Sequence, residues 1–120
     1  MKLIGVRGAT MLKENESSEM KDAVQELLKE MLSQNRIEND DLVSIIFTTT
    51  SDLNCSFPAA SARDLGLGDV PLLCSQEIDV PNAPAKVVRI LLHTYSNLVR
   101  KDVNHIYLRG AEVLRQDLAQ

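Results

Sequence analysis

Four arginines stand out for where they fall in the chain. Arg7 closes an N-terminal strand-like run, Arg63 lies in a short helical stretch, Arg89 interrupts an apolar strand, and Arg115 sits in the C-terminal tail. Glu77 adds a carboxylate, Cys74 a thiol and Tyr107 a phenol. No Ser/His/Asp set, phosphate-cradling glycine loop or carboxylate pair accompanies them. Guanidiniums without a nucleophile suit a receptor for a small polyanion, because the planar fork matches a carboxylate bidentately. Arg89 is the most constrained of the four. In a strand of period two it shares a face with Val87, Leu91 and His93, while Val88, Ile90 and Leu92 take the other. Both faces are largely apolar, which predicts burial on both sides. A guanidinium does not shed its proton there and needs an anionic partner. Glu77 is one candidate and a bound anion is another; a plain structural Arg–Glu pair would meet the same need.

The elements that must position these residues follow from local pattern. Residues 2–8 read as a strand that leaves through Gly8, placing Arg7 at a strand end where a sheet can present it to a ligand. Ser17 and Ser18 are candidate N-caps for a helix running to about Asn35, with Glu19 and Asp22 favourable in its first turn. Met20, Val24, Leu27, Leu28, Met31 and Leu32 form its apolar stripe, suited to covering a sheet. Residues 42–49 are β-branched and strand-like. Pro58 suits a first helical position and Gly66 a stop, predicting a short helix over 58–65 that carries Arg63. Phe57 precedes it, as a pocket wall or as a staple for the helix start. Residues 69–74 form a third strand, with Pro71 pointing to an edge or strand start. A loop over 80–84 leads into the Arg89 strand, which ends near Tyr95, and 105–108 make a short last strand.

With 120 residues the chain has room for one domain. A net charge of −4 and scattered basic residues speak against nucleic acid or an anionic membrane as partner. Apolar runs are strand-sized, too short to span a bilayer. Two cysteines and two histidines supply neither a disulfide framework nor a zinc-ligand spacing. Without a hydrophobic signal region at the start, the expectation is a soluble, cytoplasmic, metal-free protein.

Taken in order, Val6-Arg7-Gly8-Ala9-Thr10, Asp52-Leu53, Phe57-Pro58-Ala59, Ala62-Arg63, Val70-Pro71, Cys74-Ser75-Gln76-Glu77-Ile78-Asp79-Val80, Val88-Arg89, His105-Ile106-Tyr107-Leu108 and Val113-Leu114-Arg115 resemble the small monofunctional chorismate mutases of the trimeric α/β type, as distinct from the all-helical type. The likeness covers nearly the whole chain. It implies an α/β fold, a mixed sheet with one long and one short helix packed on it, in a barrel-like homotrimer with active sites between neighbours. Residues matching Phe57, Ala59 and Arg63 come from one chain in that family. Those matching Arg7, Leu72, Leu73, Cys74, Glu77, Arg89 and Tyr107 come from the next. Two departures are visible: Ala60 stands where a lysine is common, and Gln116 where a proline is common.

The reaction so implied, chorismate to prephenate, breaks a C–O bond and forms a C–C bond within one molecule. It needs no proton transfer, nucleophile, metal or cofactor, so a site built of cations fits it. Holding a flexible dicarboxylate in its compact conformer and placing positive charge at the ether oxygen are the two effects left to the protein. The resemblance gives Arg89 the ether oxygen, with Glu77 orienting it. It gives Arg7 and Tyr107 the side-chain carboxylate, Glu77 and Cys74 the ring hydroxyl, and Arg63 and Arg115 the ring carboxylate. Phe57, Ala59, Leu73 and Leu114 would line the apolar wall. A non-catalytic trimeric module binding a small carboxylate metabolite between subunits is the alternative; it has no reason to aim a cation at an ether oxygen. A deaminase-type trimer would need a water-activating arrangement that the sequence does not offer.

Overall fold

In the computed structural model, which describes residues 1–114, five strands form one mixed sheet. They are β1 (Lys2–Met11), β2 (Leu42–Thr49), β3 (Leu72–Gln76), β4 (Val87–Ser96) and β5 (Ile106–Tyr107), in the order β3-β2-β4-β1-β5. The central strand β4 runs antiparallel to both β1 and β2, while β3 is parallel to β2 and β5 is parallel to β1. Two helices, α1 (Ser17–Gln34) and α2 (Pro58–Ala62), carry the connections from β1 to β2 and from β2 to β3. The expected mixed sheet with a long and a short helix is what the chain adopts.

One face of the sheet is finished. Met20, Ala23, Val24, Leu27, Leu28 and Met31 of α1 are buried, against a sheet face that includes Val6, Ile45, Phe47, Val88, Ile90 and Leu92. Gly8 belongs to the same face. A β-carbon there would run into Met31 Sδ and crowd Leu27 Cδ1 at 3.1 Å, so the glycine lets the helix lie directly on β1.

The other face is open within one chain. Burial along β4 alternates, and the odd positions after Arg89 are uncovered, with Leu91 38% and Tyr95 49% exposed. Leu3 and Leu73 stand out of the same face, at 55% and 61%. The expectation that residues 87–92 are buried on both sides is therefore met on one side only by the single chain. Among the described residues nothing covers the second side.

Element boundaries shift from the sequence reading for identifiable reasons. β1 runs on to Met11 because Ala9, Thr10 and Met11 pair with Arg89, Val88 and Val87. The N-cap of α1 is Glu16 rather than either serine: its carboxylate accepts hydrogen bonds from the Ser18 and Glu19 N–H groups. The short helix narrows to α2, then passes through a wide turn over Arg63–Leu67, inside which Gly66 takes φ 95°. β3 begins after Pro71, on an edge of the sheet, which is where its proline allows.

Candidate active site

Strand register explains which side chains meet on the open face. Ser75, Thr48, Arg89, Ala9 and Tyr107 are successive cross-strand partners from β3 to β5, and Leu73, Ile46, Leu91 and Arg7 form the row beside them. Where these rows meet there is a cavity of about 270 Å³, lined by Arg7, Ile46, Thr48, Glu77, Arg89 and Tyr107 among others. Its floor is sheet backbone and apolar side chain, so the cations stand on a rigid base.

Glu77 follows β3 and is anchored twice. Its backbone N–H donates to the Thr49 carbonyl at 2.9 Å, continuing the ladder with β2. Its carboxylate accepts a short hydrogen bond from the Thr48 hydroxyl through Oε2. The other oxygen, Oε1, lies 3.4 Å from Arg89 Nε. That contact is an ion pair without hydrogen-bond geometry, and Arg89 Nε is buried without a hydrogen-bond partner. Arg89 as a residue is nevertheless 39% exposed in its side chain, so the buried nitrogen sits at the base and the guanidinium reaches outward. A cation held by one carboxylate oxygen keeps its remaining donors for something else.

Arg7 is fixed through its backbone. Its N–H donates to His105 Nδ1 at 3.0 Å, which ties β1 to the residue preceding β5 and sets the imidazole tautomer with its proton on Nε2. No carboxylate pairs with the Arg7 guanidinium among the described residues. The β5 segment is itself held by Asn35, the buried C-cap of α1. Its amide donates to the Asn104 carbonyl at 2.9 Å and accepts from the Asn104 N–H at 2.7 Å. At the opposite end of β4, the Asp52 carboxylate accepts from the Lys86 N–H, and the Thr50 hydroxyl accepts from the Val87 N–H at 3.0 Å. These bonds fix the start of the strand that carries Arg89.

The other expected site residues lie elsewhere in the chain. Phe57 is 70% exposed at the start of α2, Ala59 is buried in that helix, and Arg63 is exposed at its end. None of the three lines the cavity of the same chain. Leu73 is exposed on the open face beside the cavity, whereas Leu72 and Cys74 pack against the core on the helix side. The Cys74 thiol thus points away from Arg89. Odd residues of β3 pair with β2, as Pro71 and Glu77 do, so the Cys74 N–H is left unpaired by β2 and faces outward from the sheet edge. Leu114 is half-buried in the last turn, Ala111–Leu114, and Arg115 lies outside the described residues. Thr48, Ile46 and His105 were not singled out from the sequence; period-two counting along 42–49 would have put Ile46 and Thr48 on one face.

Comparison with known proteins agrees with this architecture along the chain. The chorismate mutase type I family model matches residues 3–118. A chorismate mutase AroH of Thermus thermophilus is 40% identical over 115 residues, covering 95% of this chain and 94% of the relative. A chorismate mutase AroH of Bacillus subtilis is 32% identical over 120 residues, covering 99% and 94%. Among solved structures, a chorismate mutase from Clostridium thermocellum superposes with a TM-score of 0.90 at 44% identity, covering 92% of this chain and 98% of that one. The chain belongs to the type I chorismate mutase family, enzymes that isomerise chorismate to prephenate.

Proposed function

We propose that chorismate is rearranged to prephenate in the open-face cavity, after a second copy of the chain closes it, in a homotrimer. The observation that carries this reading is the pair of cations, Arg7 and Arg89, set with Glu77 and Tyr107 around an apolar-floored cavity on a face that one chain leaves uncovered. The exposed Leu3, Leu73, Leu91 and Tyr95 supply the apolar contact for assembly. Phe57, Ala59 and Arg63, remote from the cavity of their own chain, are the residues a neighbour contributes.

Each residue has a physical task. Arg89 donates to the ether oxygen, where negative charge grows as the C–O bond breaks, and to an adjacent carboxylate. Arg7 and Tyr107 bind the side-chain carboxylate and hold the enolpyruvyl arm over the ring. Glu77 accepts from the ring hydroxyl, and Cys74 serves through its outward backbone N–H rather than its thiol. Arg63 and Arg115 meet the ring carboxylate at the mouth of the cleft, and Phe57, Ala59, Leu73 and Leu114 exclude water from its wall, whereas Leu72, on the helix side of β3, has no direct part in it. A millionfold acceleration corresponds to about 8 kcal/mol, more than one hydrogen bond provides, so conformer restriction and charge act together. The reaction moves no net electrons or protons, so no cofactor or metal has a role. Among the described residues no helix is long and apolar enough to cross a membrane. Two free cysteines fit a reducing, cytoplasmic setting.

The test is direct. Purified protein incubated with chorismate, without added metal or cofactor, should remove the diene absorbance, with a rate unchanged by EDTA and nearly flat from about pH 6 to 9, since no group of near-neutral reference pKa transfers a proton. Sedimentation should give a trimer. Binding of chorismate without turnover would favour the carboxylate-binding module, and an active monomer would defeat the shared site.

A further inference from the structure

We propose that Thr48 is a positioning residue for the rearrangement, acting through Glu77 to keep Arg89 available to the substrate. The inference rests on the chorismate mutase reading of the cavity. It starts from three neighbouring side chains: Thr48 on β2 lies directly across from Arg89 on β4 and donates a hydrogen bond from its hydroxyl to Oε2 of Glu77, the residue after β3. Glu77 Oε1 then faces Arg89 Nε at 3.4 Å, an ion pair without hydrogen-bond geometry.

A carboxylate beside a guanidinium ordinarily turns to take two of its N–H groups in a parallel fork. Here the Glu77 backbone is fixed by its bond to Thr49, so side-chain rotation is the freedom that remains. The Thr48 hydroxyl commits one oxygen and limits that rotation. Glu77 consequently orients Arg89 from one side without capturing it, and the outer nitrogens stay free for two substrate oxygens. Removing the hydroxyl would release Oε2. The carboxylate would then either close on Arg89, neutralising the charge needed at the ether oxygen, or swing to solvent and leave Arg89 unoriented. Both outcomes weaken stabilisation that is larger in the transition state than in the ground state, so the loss falls on kcat.

Thr48→Val keeps the shape and strand propensity and removes the hydroxyl; Thr48→Ser keeps the hydroxyl. A hydrogen bond to a charged group supports an expected drop of about tenfold in kcat for Thr48→Val. KM should change less than the rate does, and Tm and the oligomeric state should match wild type. Affinity for an oxabicyclic dicarboxylate mimic of the transition state should fall in parallel with kcat/KM. Thr48→Ser should recover most of the loss. Should the valine variant misfold, Thr48→Ala carries the same comparison against Thr48→Ser. Wild-type kcat in the hydroxyl-less variant, a change in KM alone, or a serine variant as impaired as the valine one would each overturn the proposal. Absence of turnover in the wild-type protein would instead overturn the reading of the cavity itself.

Discussion

The two faces of the sheet are built to different rules. Under the helices the large side chains are packed and buried, and shape decides what is tolerated: at Gly8, Met31 and Leu27 occupy the space of a β-carbon. On the open face, apolar residues remain partly exposed and the cations are incompletely matched. Arg89 has a buried nitrogen without a hydrogen bond, and Arg7 has no carboxylate partner among the described residues. The same strands produce both faces, since alternate residues of β4 point opposite ways. Stability and function are therefore separated by one residue of register, and substitutions on the two faces should fail in different ways.

The largest effect belongs to Arg89. Replacing it with citrulline or Met, close in length but uncharged, should lower kcat by about a hundredfold or more while raising KM much less, because the charge matters most in the transition state. Lys should restore only part, since a point charge cannot reproduce a fork that serves two oxygens. Tm and trimer content should stay near wild type, because this side chain is not part of the packed face. Steady-state kinetics beside thermal melts check both halves. A variant that keeps kcat and loses only affinity would make Arg89 a ground-state anchor.

Gly8→Ala tests the opposite face. The added methyl has to displace Met31 Sδ, the end of a flexible side chain, while Leu27 Cδ1 also lies within 3.1 Å. Overpacking of this kind costs about 1–3 kcal/mol. Denaturant melts should show that loss in full. The effect on kcat should be smaller than for Arg89, although Gly8 lies next to Arg7 in β1. A Gly8→Ala protein of wild-type stability would mean that α1 shifts without cost, and the covered face would be looser than its burial suggests.

Legibility from sequence divides along the same line. The covered face was readable because burial against one's own chain leaves a period: the α1 stripe and the even residues of β4 announce each other. The cations were readable as a set, and through resemblance as a site. What the sequence hid depended on register and on pairs far apart in the chain. The Thr48–Glu77 bond needs β2 and β3 aligned, and the side of β3 on which the Cys74 thiol lies needs the strand's start, which falls at Leu72 rather than Asp69. The apolar odd residues of β4 were read as buried on both sides, yet alternation alone does not say whether the second covering comes from the same molecule.

The smallest effect lies at the start of α1, the element that covers the packed face. Glu16 caps the helix, and its carboxyl is held below the ordinary value of 4.5 by hydrogen bonds from the Ser18 hydroxyl and from the Ser18 and Glu19 N–H groups. Glu19 reaches back to the Lys13 and Glu14 N–H groups, which lower it likewise. Because these folded-state values lie below the unfolded ones, the contribution is present in full above about pH 4.5 and fades as pH falls through the lowered values. Glu16→Gln keeps the side chain's length and removes its charge. At neutral pH it should lower Tm slightly and leave kcat unchanged, since the cap touches neither the cavity nor the arginines. The gap in Tm between wild type and variant should narrow as the buffer is taken below pH 4.5, because protonation makes the wild-type cap resemble the variant's. A gap that stayed constant through that range would assign the cap's value to geometry alone, without the attraction between a negative carboxylate and the positive end of the helix.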